Sequence, residues 1–237
     1  MTHHLVFSFL VSGLILTFAA HHAAAVTIGQ IDGFDDGTTM GWGDQVPPIP
    51  KPPIHEPSGG PAGTGDDYLK IVATGFGGPG SRLIMFNRIQ WTGDYLAAGV
   101  DRIVADMANF GNQPLFMRLA IQTDRVNSPH DGTWYGSTTP QILPPDGVWH
   151  SLSFGLTSSD LSLIEEGERS LAETLASVDA LRFLSIEDEL DHEGDAIIAT
   201  LGIDNITAIP EPSSCGLALI AMIACYAGGW RRRRVAR

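Results

Sequence analysis

The chain has 237 residues, 43% of them hydrophobic, with 27 Gly, 15 Pro and a formal net charge of −13. Five of its 14 basic residues, Arg231, Arg232, Arg233, Arg234 and Arg237, stand in the last seven positions, so residues 26–209 carry 26 acidic against nine basic residues. Nucleic-acid binding draws most of its free energy from phosphate attraction, and a domain of this charge is excluded from that class. Both cysteines, Cys215 and Cys225, lie beyond this stretch, so it holds no disulfide, Cys metal site or thiol nucleophile.

The N-terminus opens with an apolar run from Leu5 to Ala20, followed by Ala23-Ala24-Ala25. This is the layout of a secretory signal peptide, residues 1–25, with Ala23 and Ala25 as the small residues of the signal-peptidase site. The n-region has His3 and His4 in place of Lys or Arg. A retained anchor helix is the alternative; the Ala-rich exit and the acidic sequence after it favour cleavage after Ala25.

Residues 26–209 read as one domain, large enough to bury a single core. The Pro- and Gly-rich stretch Val46–Gly65 predicts a loop, because its prolines cannot donate to a β-ladder. Short apolar runs then alternate with turn signals, the rhythm of an all-β sandwich. Strands are predicted at Tyr68–Ala73, Arg82–Phe86, Arg102–Asn109, Phe116–Gln122, Val148–Phe154, Ala180–Ile186 and Ile197–Ile209. In Asp160–Ala176 the spacing of Leu161, Ile164, Leu171 and Leu175 is nearer a helical period. The Ser158-Ser159-Asp160 approach predicts a helix start there, with helix in the second half of the stretch.

The C-terminus, residues 210–237, has three parts in fixed order. Pro210-Glu211-Pro212-Ser213-Ser214 precedes an apolar stretch from Cys215 to Trp230, and Arg231-Arg232-Arg233-Arg234 closes it, within a basic tail over 231–237. Physically this is a stop-transfer device, with the arginines held on the cytoplasmic side of the inner membrane. As a helix its apolar residues reach only ~24 Å, short of a ~30 Å bilayer core, a gap that arginine snorkelling narrows. The arrangement resembles the PEP-CTERM sorting signal. That resemblance implies transient residence in the inner membrane and processing by an exosortase. Pro210, Glu211 and Pro212 would then be the recognition motif and Arg231 to Arg234 the retention signal. The destination implied is the cell surface or extracellular matrix.

Three segments of the central domain resemble the galactose-binding-like jelly roll shared by many carbohydrate-binding modules. They are Gly33-Phe34-Asp35-Asp36-Gly37-Thr38-Thr39-Met40-Gly41-Trp42, Asp146 to Phe154 with its Gly147-Val148-Trp149, and Gly202-Ile203-Asp204-Asn205-Ile206. The fold implied is an all-β, jelly-roll-like antiparallel β-sandwich, flanked by the signal peptide and a C-terminal transmembrane sorting helix. The family often holds a structural calcium between its first and last strands, so the resemblance places a metal at Asp35 or Asp36 and Asp204. Asp188, Asp191 and Glu193 read as a solvated acidic loop. Carbohydrate binding would use exposed aromatics, with Trp134 and Tyr135 first and Trp91 and Tyr95 next. Trp42 and Trp149 read as core.

No catalytic motif is present. His55, His130, His150 and His192 lack metal-ligand spacing, and no Gly-x-Ser-x-Gly occurs. The sequence therefore reads as a non-catalytic surface or matrix protein that binds extracellular polysaccharide. Two alternatives stay open at this point: a purely structural matrix component, and a polysaccharide-active enzyme built on a jelly roll with spread-out carboxylates.

Overall fold

The computed structural model describes residues 25–43, 52–76, 81–125, 132–165, 167–188 and 191–210. In chain order its elements are β1 (Ile31–Asp32), β2 (Ile54–Glu56), β3 (Tyr68–Thr74), β4 (Ile84–Asn87), α1 (Tyr95–Ala98), β5 (Arg102–Asn109), β6 (Leu115–Thr123), β7 (Thr133–Ser137), β8 (Gln141–Leu143), β9 (Trp149–Gly155), β10 (Leu161–Glu165), α2 (Leu171–Leu175), β11 (Ala180–Ser185) and β12 (Ile198–Ile209). They form two antiparallel sheets. Sheet I runs β2-β3-β12-β5-β9, with β1 also pairing β12; sheet II runs β10-β7-β6-β11-β4, with β8 also pairing β6.

Side chains alternate across each strand, and the inward set of each sheet makes the core. Leu69 and Ile71 of β3, Ile103, Ala105 and Met107 of β5, and Leu201 and Ile203 of β12 supply sheet I. Met117, Leu119 and Ile121 of β6, with Leu181 and Phe183 of β11, supply sheet II; all are buried in one cluster. Each large apolar chain taken from water contributes about 1.5–3 kcal/mol. On β12 the register shifts between Asp204 and Thr207, and Asn205 takes φ 50°. This bulge resets the alternation, so that Ile206 and Ala208 point into the same core as Ile203.

One buried polar group ties the start of the chain to the core. Asp32 is 1% exposed. Its Oδ2 accepts from Trp42 Nε1 at 2.7 Å, Trp91 Nε1 at 2.7 Å and Gln90 Nε2 at 2.8 Å. Burial raises its pKa above the ordinary aspartate value even though all three donors favour the carboxylate.

The predicted strands are all present, most of them within two residues of the expected bounds. The structure corrects the reading elsewhere. Leu161–Glu165 is a strand paired with β7, not the opening of a helix. The helix begins later, at a capping box in which Ser170 Oγ accepts from Glu173 N and the Glu173 carboxylate accepts from Ser170 N. The stretch expected to be loop contains β2, an edge strand on β3. Strands β1, β7 and β8 are additions. Among the described residues no helix is long and apolar enough to cross a membrane. Ala23, Glu211, Pro212 and Arg231 to Arg234 lie outside the described residues, as does the whole apolar stretch 215–230.

Candidate functional site

The outer face of sheet I carries an aromatic cluster whose position follows from strand alternation. Leu69, Ile71 and Ala73 of β3 face the core, so Tyr68, Lys70 and Val72 face outward. Leu152 and Phe154 of β9 face the core, so Trp149, Ser151 and Ser153 face outward. In the middle of the sheet, Gly202 pairs with Lys70 on one side and Ala108 on the other, and Ala108 pairs with Trp149. A Cβ on Gly202 would lie 2.9 Å from Trp149 Cη2 and 2.8 Å from Phe110 Cε2. The indole and the Phe110 ring thus rest where β12 has no side chain.

Three rings meet there. Tyr68 and Trp149 have centroids 5.3 Å apart at 80°, Phe110 and Trp149 6.1 Å apart at 84°, and Tyr68 and Phe110 6.1 Å apart at 56°. Such edge-to-face contacts hold aromatic rings in fixed orientation. Trp149 Nε1 donates to the Gly59 carbonyl at 3.0 Å, which fixes the indole further. Phe110 is 40% exposed, and the exposed Val72 and Ile198 extend the apolar surface. A contiguous exposed apolar patch of this kind on a charged protein marks a contact surface.

Carboxylates border it. Asp106 pairs with Ser151 on one side and Asp204 on the other. Asn205 Nδ2 donates to Asp106 Oδ2 at 3.0 Å, and Asp204 Oδ1 accepts from Asn205 N at 2.7 Å. The Gly33 turn closes over Asp204: a Cβ there would lie 3.6 Å from Asn205 Oδ1, 3.9 Å from Asp204 Oδ1 and 4.0 Å from Asp35 Oδ2. Burial, joined by repulsion from Asp66, Asp106 and Asp35, raises the Asp204 pKa to about 7, against the opposing hydrogen bond from Asn205 N. Beside Tyr68, Lys70 and Glu56 form an ion pair.

Of the residues expected to hold a metal, Asp35 and Asp204 are brought together and Asp36 is not. Asp36 is exposed, and its Oδ1 accepts from Thr38 N and Thr38 Oγ1, both at 2.8 Å, as a turn cap. The two carboxylates and the Asn205 amide oxygen all lie within 4.0 Å of the position a Gly33 Cβ would take, and they are hard oxygens of the kind calcium gathers in a shell of six to eight. Among the described residues no group of three or more His, Cys, Asp or Glu side chains is arranged to hold a metal ion.

The aromatics expected to be exposed lie elsewhere. Trp134, Trp91 and Tyr95 are each 0% exposed. Trp91 serves Asp32. Tyr95 Oη donates to the Trp91 carbonyl at 3.0 Å. Trp134 points outward from sheet II but is covered, with the His192 ring stacked on it at 5.2 Å and the Arg182 guanidinium 4.3 Å from its centroid. Tyr135 is half-buried against the core, and its hydroxyl donates to Arg169 O at 3.2 Å. Trp42 is core, as expected. Trp149 is not: it belongs to the surface cluster. The alternation set by Leu152 and Phe154 was the sequence signal for this, and the same parity places Tyr68 outside.

A polar cleft of about 230 Å³ lies between β9 and the β7–β8 connection. Its groups serve one another: Gln141 Nε2 donates to Ser153 O at 2.6 Å and Arg102 to Ser153 Oγ at 3.1 Å. It presents no exposed ring.

Neither a family model nor a curated protein matches this chain in sequence. Solved structures do match in fold. A family 11 carbohydrate-binding module from Clostridium thermocellum, in complex with a β-1,3-1,4-mixed-linked tetrasaccharide, aligns with 16% identity and a TM-score of 0.48, over 78% of this chain and 98% of that one. An exo-β-agarase aligns with 13% identity and a TM-score of 0.51, over 78% of this chain but only 25% of the agarase chain. At these identities the likeness is one of fold: an all-β sandwich of two antiparallel sheets.

Proposed function

We propose that this protein is an exported, non-catalytic carbohydrate-binding protein, and that Tyr68, Phe110 and Trp149 stack on the apolar face of a neutral saccharide. The observation that carries this is the mutually braced aromatic cluster resting on Gly202 of β12, in which Phe110 is exposed and Tyr68 and Trp149 are half-buried. A pyranose ring has a C–H face that an aromatic ring covers, and its hydroxyls need acceptors beside it. Asp106, Ser151 and the Glu56–Lys70 pair border the rings and supply them. The acidic border favours a neutral sugar over a charged one, because a uronate placed there meets like charge. A general-acid role for Asp204 is disfavoured: its pKa suits such a role, yet the side chain is 1% exposed under the Gly33 turn. Titration of the protein with neutral oligosaccharides, followed by tryptophan fluorescence and repeated on Trp149→Ala, tests the reading.

Export would use residues 1–25 as a signal peptide and 210–237 as an exosortase-read sorting tail, on the sequence order of Pro210-Glu211-Pro212, the apolar stretch and the arginines. The intact mass of the protein from its own host is expected to lack both ends. A mass that keeps Arg231 to Arg234 would make it a membrane-anchored protein instead.

A structural calcium is part of the proposal. Asp35, Asp204 and the Asn205 amide oxygen would hold it, and its charge would offset both the burial and the neighbouring carboxylates that raise Asp204. Chelation is expected to lower the thermal midpoint by several degrees, and Asp204→Asn to abolish that difference. A midpoint indifferent to calcium and chelator would show that these residues hold no structural calcium.

A further inference from the structure

The face of sheet II opposite the aromatic cluster gathers three of the nine basic residues of this acidic domain. Arg88 follows β4 by one residue, Arg125 follows β6 by two, and Arg182 lies near the start of β11, which pairs with both strands. The three therefore stand at one end of three neighbouring strands. Other cations are committed elsewhere: Lys70 to Glu56, Arg82 to Glu193 and Arg169 to Asp124. Arg118 donates to the carbonyls of Ile186, Ser137, Thr138 and Glu187.

Among the described residues none of Arg88, Arg125 and Arg182 has a carboxylate within salt-bridge distance, and the Nε of each is buried without a hydrogen-bond partner. Arg182 is 5% exposed, and its guanidinium carbon lies 4.3 Å from the Trp134 centroid and 5.9 Å from that of Phe86. It donates to the His192 carbonyl. Arg88 and Arg125 are half-exposed, and Arg88 lies over Phe86 at 4.7 Å. Nearby carboxylates are in use. Asp179 accepts from Arg125 N at 3.2 Å, and Asp191 from Glu193 N at 2.6 Å and Gly194 N at 2.7 Å. Burial, then mutual repulsion, pulls Arg88 down to about 10 and Arg182 to about 9, with Asp179 partly opposing at Arg88 and Glu193 and Asp191 at Arg182. The cluster stores like-charge repulsion that an anion would relieve.

We propose that Arg88, Arg125 and Arg182 form a receiving site for the carboxylate or sulfate group of an acidic saccharide. Guanidinium groups present planar, paired donors that match both anions. Arg182, held between two aromatic rings, is the fixed floor, and Arg88 and Arg125 are the reachable arms. That the anion is carried on a saccharide rests on the carbohydrate-binding reading; the anion site itself does not.

The test is calorimetric titration of the whole protein with a tetra-uronate, its carboxyl-reduced neutral counterpart, a sulfated tetrasaccharide and inorganic sulfate. Arg88→Gln and Arg125→Gln are the variants, because both side chains are partly exposed and truncating the charge spares the core. The expected result is saturable binding of the tetra-uronate or the sulfated saccharide that weakens about tenfold in each variant, as for loss of one charge-assisted bond. It is also expected to weaken with added sodium chloride and to survive Trp149→Ala. Which of the two saccharides binds more tightly identifies the anion, and competition by inorganic sulfate shows that the charged group alone is recognised. Absence of saturable binding by either acidic saccharide overturns the proposal, as does binding unchanged in both arginine variants or lost in Trp149→Ala. Arginine-dependent binding with no neutral-sugar binding would leave this site standing and remove the aromatic-face reading.

Discussion

Asp32→Ala is expected to destabilise the fold by about 3–5 kcal/mol, measured by urea denaturation at neutral pH, which is a large share of the stability of a domain of this size. The carboxylate is the shared acceptor of two indole N–H groups and one amide, each within 2.8 Å, and both indoles are fully buried. Truncation leaves those donors without a partner and opens a void beside Trp42 and Trp91, whose rings are 6.1 Å apart. Two orphaned buried donors cost about 1–3 kcal/mol each, and the cavity adds to that. The pH dependence has a definite sign. Because the native pKa is raised, the native state holds the Asp32 proton more tightly than the unfolded chain. This contribution is whole below the ordinary aspartate value of the unfolded chain and is lost as pH rises through the raised native value. The variant is expected to lack that slope. A loss under about 1 kcal/mol, with the slope retained, would show that Asp32 does not organise this part of the core.

Trp149→Ala is expected to weaken neutral-saccharide binding about 30- to 100-fold while the fold persists. An indole at the centre of a small contact surface supplies about 2–3 kcal/mol through apolar area and ring geometry together. The inward side chains of β9, Leu152 and Phe154, hold the strand without it. Loss of the indole also frees Phe110 and Tyr68, which lose their edge-to-face partner, so the remaining surface is less ordered as well as smaller. Thermal unfolding of the variant separates the two effects: a midpoint near that of the parent with binding lost is the expected pair. Undiminished affinity would mean that the rings on sheet I do not carry the ligand.

Much of the sandwich was legible because its strands bury one face and alternate. The β5 bounds, Arg102–Asn109, emerge from the sequence directly, since Ile103, Ala105 and Met107 repeat every second residue. The short edge strands β1, β2 and β8 were not legible, because two or three residues carry no period. Strand β10 was misread as helix: its partner β7 is over 20 residues away in the chain, and local spacing does not reveal a non-local pairing. The local signal for the helix start is the capping box at Ser170 and Glu173, not the Ser158-Ser159-Asp160 approach.

The site shows the same division. The strand motif around Trp149 suggests a core position, although its parity with Leu152 and Phe154 points it outward. Gly202 gave no hint of its role, which depends on two rings arriving from β9 and from the end of β5. Trp134 has the parity of an outward residue and stands in a polar stretch, so its sequence surroundings suggest exposure. Its burial comes from Arg182 and His192, 48 and 58 residues further on, and no local feature announces them.

Binding of a neutral saccharide on the outer face of sheet I has a direct spectroscopic consequence. It can be read by backbone and indole chemical-shift mapping of the protein, titrated with a panel of neutral oligosaccharides. Saturable shifts are expected at Tyr68, Phe110, Trp149, Ser151 and Gly202, with the Trp149 indole N–H among the largest and sheet II unmoved. Shifts confined to sheet II or to the polar cleft at Arg102 and Gln141, or no saturable shift with any member of the panel, would contradict it.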